Sequence, residues 1–162
     1  MKKVFVTIAL TVVSFAIFAG TPKANAVELK TVTLTKTFNR VSVGENLNVE
    51  FSNAANASIR LEGNNSFVNG VNFQVINGTL FVSLKGKAKI YKGTIYLPVG
   101  NLIQVDINTN SKVCSHEFLN CNDLTVFVAE GARAELKTKG MIAFKSLGEC
   151  ALDFEKNVSI SE

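Results

Sequence analysis

The chain has 162 residues, a net charge of +4, two prolines and no tryptophan, and its many Val, Ile, Phe, Thr and Asn residues are typical of β-strands joined by turns. Three of its 17 basic residues and none of its 13 acidic residues precede residue 27, which leaves 14 against 13, or +1, for the remainder. That balance excludes a global field that would attract nucleic acid or an anionic membrane.

The N-terminus has the layout of a secretory signal peptide. Two lysines follow Met1, residues 4–19 form an almost uninterrupted apolar run, and an A-x-A cleavage site ends at Ala26. A membrane anchor is the alternative, but the run is short for a spanning helix. We therefore predict a signal peptide over residues 1–26 and one domain over residues 27–162, without a stable membrane span after cleavage. Export would deliver it to the periplasm, the outer cell surface or the extracellular space.

From residue 31 to residue 107 the chain reads as a series of strands. Apolar residues recur at every second position with polar residues between them, so each strand buries one face. Turns are predicted at residues 44–46 and 63–65, and Asn77-Gly78 is a strong hairpin signal. Pro98 should end a strand, because proline cannot donate a ladder hydrogen bond.

Beyond Asn108 the pattern changes to three similar segments. Each has a small or turn-forming residue followed three positions later by a small apolar one; the pairs are Asn110 and Val113, Gly131 and Ala134, and Gly148 and Ala151. Imperfect repeats of about 20 residues with short strands are typical of stacked coils in a β-solenoid. We predict an all-β fold of this kind, with an antiparallel β-sandwich as the alternative.

Four blocks in a fixed order carry a resemblance to a known family. They are FNRVSVGENLNVEF (38–51), SIRLEGNNSF (58–67), VNFQVINGTLFVSL (71–84) and IYLPVGNLIQVDI (95–107). Together they resemble the bacterial exported domain called the putative auto-transporter adhesin head domain, or head GIN domain. The resemblance covers nearly all of residues 27–162 and implies a right-handed β-helix-like solenoid, with adhesion as a hypothesis. Where this family tends to have glycine, the chain has Asn110, which also tolerates a left-handed backbone.

Three cysteines, Cys114, Cys121 and Cys150, are an odd number for an exported chain. A disulfide between Cys114 and Cys121 is one interpretation, and buried free cysteines that act as small hydrophobic residues are the other. Structural zinc usually requires a C-x₂₋₄-C pair and a fourth ligand. Here the cysteine spacings are seven and twenty-nine, and His116 is the single histidine, so we predict no metal ligands.

We find no catalytic or cofactor-binding residue in the sequence. His116 stands beside Ser115, but adjacent residues on a strand point to opposite faces. The aspartates Asp106, Asp123 and Asp153 fall at different phases of the repeat. Glu130 and Glu149 lie near matching corners, but Glu149 comes one position later than Glu130. We therefore predict a non-enzymatic binding, adhesion or structural domain of the cell envelope, with a glycan or another envelope component as partner. A degenerate carbohydrate-active β-helix enzyme is the alternative.

Two smaller patterns are surface candidates. The densest positive charge is at Lys85, Lys87, Lys89 and Lys92. We interpret it as a solvated strand edge, with a patch for anionic glycans or lipid headgroups as the alternative. Phe81 and Phe127 are out of phase with their apolar neighbours; we interpret them as the cover of a second small core, with exposed contacts for a partner as the alternative.

Overall fold

The computed structural model describes residues 27–53, 58–86 and 92–147. Within them lie twelve strands and one short helix, α1 (Asn65–Gly70). The first six strands are β1 (Glu28–Thr33), β2 (Arg40–Val43), β3 (Asn48–Ser52), β4 (Ser58–Gly63), β5 (Val71–Ile76) and β6 (Thr79–Leu84). The others are β7 (Gly93–Pro98), β8 (Gln104–Ile107), β9 (Lys112–Ser115), β10 (Asp123–Ala129), β11 (Arg133–Glu135) and β12 (Met141–Leu147).

Several predicted features lie outside the described residues. They are the signal peptide (1–26), Lys87, Lys89, Gly148, Glu149, Cys150, Ala151 and Asp153.

The strands form two mixed six-stranded sheets. The front sheet has the order β1-β4-β7-β3-β9-β11, and the back sheet has the order β12-β10-β8-β2-β6-β5. Three pairs are antiparallel, β1-β4, β4-β7 and β5-β6, and the other seven are parallel. Buried side chains of both sheets, such as Val49 and Ile95 in front and Val41 and Val105 behind, form one core cluster.

The predicted all-β class is confirmed, but a solenoid is not shown. Two sheets around one core fit the sandwich alternative better, although most of the strand pairs are parallel instead of antiparallel. The sequence could not predict the parallel pairing, because a period of two reports which face of a strand is buried and does not report the direction of the strand. Reversals of the chain, such as the β5-β6 hairpin, are set by the turns between strands.

The predicted hairpin turn at Asn77-Gly78 and the predicted strand end at Pro98 are confirmed. Asn77 and Gly78 have φ angles of 49° and 75°, both in the left-handed region, and they join two strands in antiparallel register. Two positive φ angles are the signature of a type I′ hairpin turn. Pro98 is the last residue of β7, where its missing N–H interrupts no ladder.

Left-handed residues also stack at one corner of the molecule. Asn46, Asn110 and Gly131 have φ angles of 59°, 59° and 72°. The Asn46 N–H donates to Thr109 O at 3.2 Å, and a Cβ added to Gly131 would lie 2.8 Å from Asn110 Oδ1. Three residues beyond the corner, β9 pairs with β11 with Val113 opposite Ala134. The predicted alignment of the first two segments is thus confirmed.

Helix α1 was not predicted. Asn64 caps it by accepting a hydrogen bond from Phe67 N at 2.8 Å, a typical N-cap interaction. The Phe67 ring packs over Gly63 and Gly93, which face each other in β4 and β7. A six-residue helix is too short to show a period of 3.6, so only the asparagine cap could have indicated it.

Candidate functional site

The outer face of the front sheet carries a row of side chains that crosses the strands. Strand register places Arg60 beside Tyr96, Tyr96 beside Glu50, Glu50 beside Cys114, and Cys114 beside Glu135. Each alternates with inward residues, as the burial patterns of these strands show. We call these five residues the cross-strand row. At about 4.8 Å per strand, the row spans roughly 19 Å.

At one end of the row Arg60 stacks on Tyr96. The guanidinium carbon lies 4.0 Å from the ring centroid, a distance at which a cation is attracted to the face of an aromatic ring. Burial raises the pKa of the Tyr96 hydroxyl, and the charge of Glu62 and a hydrogen bond to Glu62 raise it further. The hydroxyl therefore stays protonated and donates to the Glu62 carboxylate.

In the middle of the row three different polar groups converge. One ligand atom each from Glu50, Cys114 and His116 lies within 4.8 Å of the other two. His116 Nε2 is 3.6 Å from Glu50 Oε2, and the His116 side chain is 80% exposed. Burial raises the pKa of the Cys114 thiol, and the neighbouring Glu50 charge adds to that shift. Nothing in the sequence indicated that His116 lies close to Glu50.

The backbone on both sides of His116 is held in place. Ser115 is buried and its Oγ accepts a hydrogen bond from Lys137 N at 2.9 Å. Beyond His116, Asn53 N donates to Glu117 Oε1 at 2.5 Å, Asn53 Nδ2 donates to Phe118 O at 2.6 Å, and Asn53 Oδ1 accepts from Asn120 N at 2.9 Å. The loop is therefore fastened to the end of β3, the strand that carries Glu50.

At the other end of the row Lys112 Nζ pairs with Glu135 Oε1 at 2.9 Å. Both side chains are about half exposed, so the pair adds at most about 1 kcal/mol to stability. Its effect is mainly to occupy the Glu135 carboxylate.

The predicted Cys114–Cys121 bridge is not formed in the structure, where both are free thiols. Cys114 lies between the inward residues Val113 and Ser115 and so points outward. Cys121 is buried in the core with its Sγ 3.8 Å from Gly100 O, and burial raises its pKa. A separation of seven residues permits a bridge in sequence, but Cys114 lies on the outer face of β9, whereas Cys121, in the segment between β9 and β10, lies in the core.

The carboxylates considered as catalytic candidates lie on different elements. Asp106 is in β8, where both of its oxygens accept hydrogen bonds from Gln104 Nε2. Asp123 begins β10 and Glu130 follows it, and both are exposed. Among the described residues, these acidic groups do not form a pair around one pocket.

The two out-of-phase phenylalanines lie on the outer face of the back sheet. Phe81 is 41% exposed, and the half-buried Phe127 ring has Lys145 Nζ 5.3 Å from its centroid. Neither belongs to the core cluster, and their interpretation as the cover of a second small core stays a prediction. The described lysines of the cluster, Lys85 and Lys92, are exposed as predicted.

An open groove of about 520 Å³ runs between the segment after β1 and the end of β5. It is lined by Leu34, Phe73, Val75 and Ile76 on its apolar side and by threonines, Lys36, Gln74 and Asn77 elsewhere.

The described part of the chain contains no helix that could span a membrane.

Comparisons with known proteins found a matching family model and several solved structures with a similar fold. The family model of the "putative auto-transporter adhesin, head GIN domain" matches residues 37–144. Two similar solved structures are putative adhesins from Parabacteroides merdae and Parabacteroides distasonis, each with a TM-score of 0.65, at 17% and 13% identity, covering 74% and 75% of this chain. A third, a putative lipid binding protein from P. distasonis, has a TM-score of 0.54 at 12% identity, covering 74% of this chain and 59% of its own.

The chain spans about half the length of the two putative adhesins, 52% of each. At these identities the likeness shows a shared fold. No curated protein matches the sequence.

Proposed function

The chain belongs to the putative auto-transporter adhesin head GIN domain family, and we propose that it is an exported, non-enzymatic binding domain of the cell envelope. We propose further that the outer face of the front sheet binds a glycan through the cross-strand row. The domain would comprise residues 27–162, released after a signal peptide of residues 1–26, and would act in the periplasm, on the cell surface or outside the cell.

The observation that carries this proposal is the polar character of that face. Most side chains that point outward from its four central strands are polar or charged; they are Ser58, Arg60, Glu62, Thr94, Tyr96, Asn48, Glu50, Ser52 and Lys112. Arginine supplies donors, carboxylates supply acceptors, and tyrosine and serine hydroxyls supply both. A polyhydroxylated ligand matches such a surface, and a face of roughly 19 Å accommodates several sugar units.

The alternative is a degenerate carbohydrate-active enzyme. Glycoside hydrolysis generally requires two carboxyl groups on either side of the scissile bond, about 5–9.5 Å apart. The described acidic candidates Asp106, Asp123 and Glu130 do not line the groove, and the family has no enzymatic name. Both observations favour binding without turnover.

We infer that β8 to β12 wind as stacked coils within this two-sheet fold. These consecutive strands alternate between the back sheet and the front sheet. Strands β8, β9 and β10 pair in parallel with β10, β11 and β12, respectively. The stacked corner at Asn110 and Gly131 supports the same winding. Coils of this kind keep successive outward residues in line, which is what a cross-strand row requires.

A glycan array probed with the purified protein tests the proposal. We expect saturable binding to an envelope polysaccharide, without turnover, and at least a tenfold loss for Tyr96→Ala. Phe81→Ala is the matched control, because it removes an exposed aromatic side chain from the outer face of the other sheet. Binding that stays at background would contradict the proposal and favour a purely structural role. An equal loss for both variants would contradict binding by the front sheet.

A second candidate function is the binding of an apolar chain in the groove beside β5. Its volume of about 520 Å³ lies within the range of about 300–1,000 Å³ that is typical of ligand pockets. One similar structure is that of a putative lipid binding protein. A fluorescent fatty acid that binds the wild type but not Val75→Asp would support this candidate, whereas equal binding by both proteins would place the lipid elsewhere.

A further inference from the structure

Glu50, Cys114 and His116 form a cluster of three different potential metal ligands outside any site that the sequence reveals. Glu50 and Cys114 are direct partners in the parallel pair of β3 and β9. Cys114 and His116 are two residues apart, so they point to the same side of the sheet. Spacing along the chain conceals this cluster, because its carboxylate comes from a different strand.

The separations suit a small tetrahedral ion. Zinc ligands at about 2.0–2.3 Å from the metal lie roughly 3.3–3.8 Å from one another. His116 Nε2 and Glu50 Oε2 are already 3.6 Å apart, and the widest separation in the cluster is within 4.8 Å. A contraction of about 1 Å through side-chain rotation completes the geometry, and the exposed His116 ring is free to rotate.

The main chain needs no rearrangement to hold an ion there. Register fixes Glu50 beside Cys114, and Ser115 is anchored through Lys137 N. The contacts of Asn53 fix the loop that follows His116. A site on paired strands, with its supporting residues already bonded, is well organised for binding.

The donor set selects the type of metal. Thiolate and imidazole are ligands of zinc and related ions, whereas Mg²⁺ and Ca²⁺ prefer sites made wholly of oxygen. The nearby Lys112 charge would oppose a cation, but Glu135 pairs with it at 2.9 Å. We propose that Glu50, Cys114 and His116 bind Zn²⁺ with three protein ligands and a fourth position open to water. On binding, the Cys114 thiol releases its proton to solvent and the thiolate coordinates the ion.

Cobalt provides the direct test, because a thiolate bound to Co²⁺ gives a sulfur-to-metal charge-transfer band. We expect the reduced full chain to bind one Co²⁺ with this band, and Zn²⁺ to displace it. Cys114→Ser should abolish the band, and Glu50→Gln and His116→Asn should each weaken Zn²⁺ binding at least tenfold in a chelator competition. Cys121→Ala and Asp106→Asn are the matched controls, because Cys121 is a thiol in the core and Asp106 is a carboxylate of the back sheet. Both should bind as the wild type does.

A second measurement avoids any variant that fails to fold. Saturating Zn²⁺ should slow the alkylation of Cys114 in the wild-type protein at least tenfold, as followed by peptide mass spectrometry. The proposal is overturned if the cobalt band persists in Cys114→Ser, if Glu50→Gln and His116→Asn bind like the wild type, or if Zn²⁺ leaves the alkylation rate of Cys114 unchanged. Neither measurement uses a glycan, so a failure of the proposed Zn²⁺ site can be distinguished from a failure of the proposed glycan binding.

Discussion

Replacement of Ser111 by alanine should destabilise the fold by about 2–4 kcal/mol, because one buried hydroxyl joins two chain segments. Ser111 is 1% exposed. Its Oγ accepts a hydrogen bond from Leu47 N at 3.0 Å and donates one to Gly44 O at 2.6 Å. Alanine leaves both backbone groups without this partner, and each unsatisfied buried group costs about 1–3 kcal/mol.

Thermal and urea unfolding followed by circular dichroism measure the effect. At about 4 °C per kcal/mol for a domain of this size, Tm should fall by roughly 8–16 °C. The matched control is Ser115→Ala, since Ser115 is also buried but its Oγ has one backbone bond in the structure, from Lys137 N at 2.9 Å. It should lose about half as much. An equal loss for the two variants, or a loss below about 0.5 kcal/mol for Ser111→Ala, would refute this account of the corner.

Three further predictions concern the glycine pair, the corner and the thiols. Gly93→Ala should lower the free energy of unfolding by about 1–3 kcal/mol, because the added Cβ would overlap the Phe67 ring. A double-mutant cycle in which Phe67→Leu restores no stability to Gly93→Ala would contradict this overlap as the cause. Asn110→Ala should cost about 1 kcal/mol more than Asn110→Gly because φ is +59°; equal unfolding free energies would argue against backbone strain. Burial raises the pKa of both Cys114 and Cys121, so alkylation should be slow near pH 8 and accelerate at higher pH. Peptide mass spectrometry should find half-buried Cys114 modified first, and a Cys114–Cys121 disulfide or faster modification of Cys121 would be inconsistent with the structure.

The sequence was informative wherever a local pattern determines the structure. Alternation identified the inward residues of strands such as β3, because a period of two reports the buried face. Asn77-Gly78 predicted a hairpin because both residues tolerate a left-handed backbone, and the repeat alignment predicted the pairing of Val113 with Ala134. Each of these features depends on a few neighbouring residues.

Features that depend on partners far away in sequence were not predictable in the same way. Strand β3 lies between β7 and β9, and nothing within β3 specifies those neighbours. Gly63 was predicted as part of a turn, and nothing near Gly63 or Gly93 in the sequence indicates that Phe67 packs over both. The cross-strand row and the Glu50, Cys114 and His116 cluster depend on the same long-range pairing, so the sequence yielded His116 and Cys114 as isolated residues and missed Glu50.

The position of Glu50 supports the proposal that the front sheet binds a ligand. Register places Glu50 between Tyr96 and Cys114. Burial raises the pKa of both neighbours, and the charge of Glu50 adds to each shift. It also lies 3.6 Å from His116 Nε2, so one outward carboxylate is coupled to residues of two other strands and the loop after β9. The inward residues beside it, Val49 and Phe51, are in the core and are constrained by packing. Outward positions are free of that constraint, so substitutions along the row can change what the face binds while the two sheets and their core stay intact.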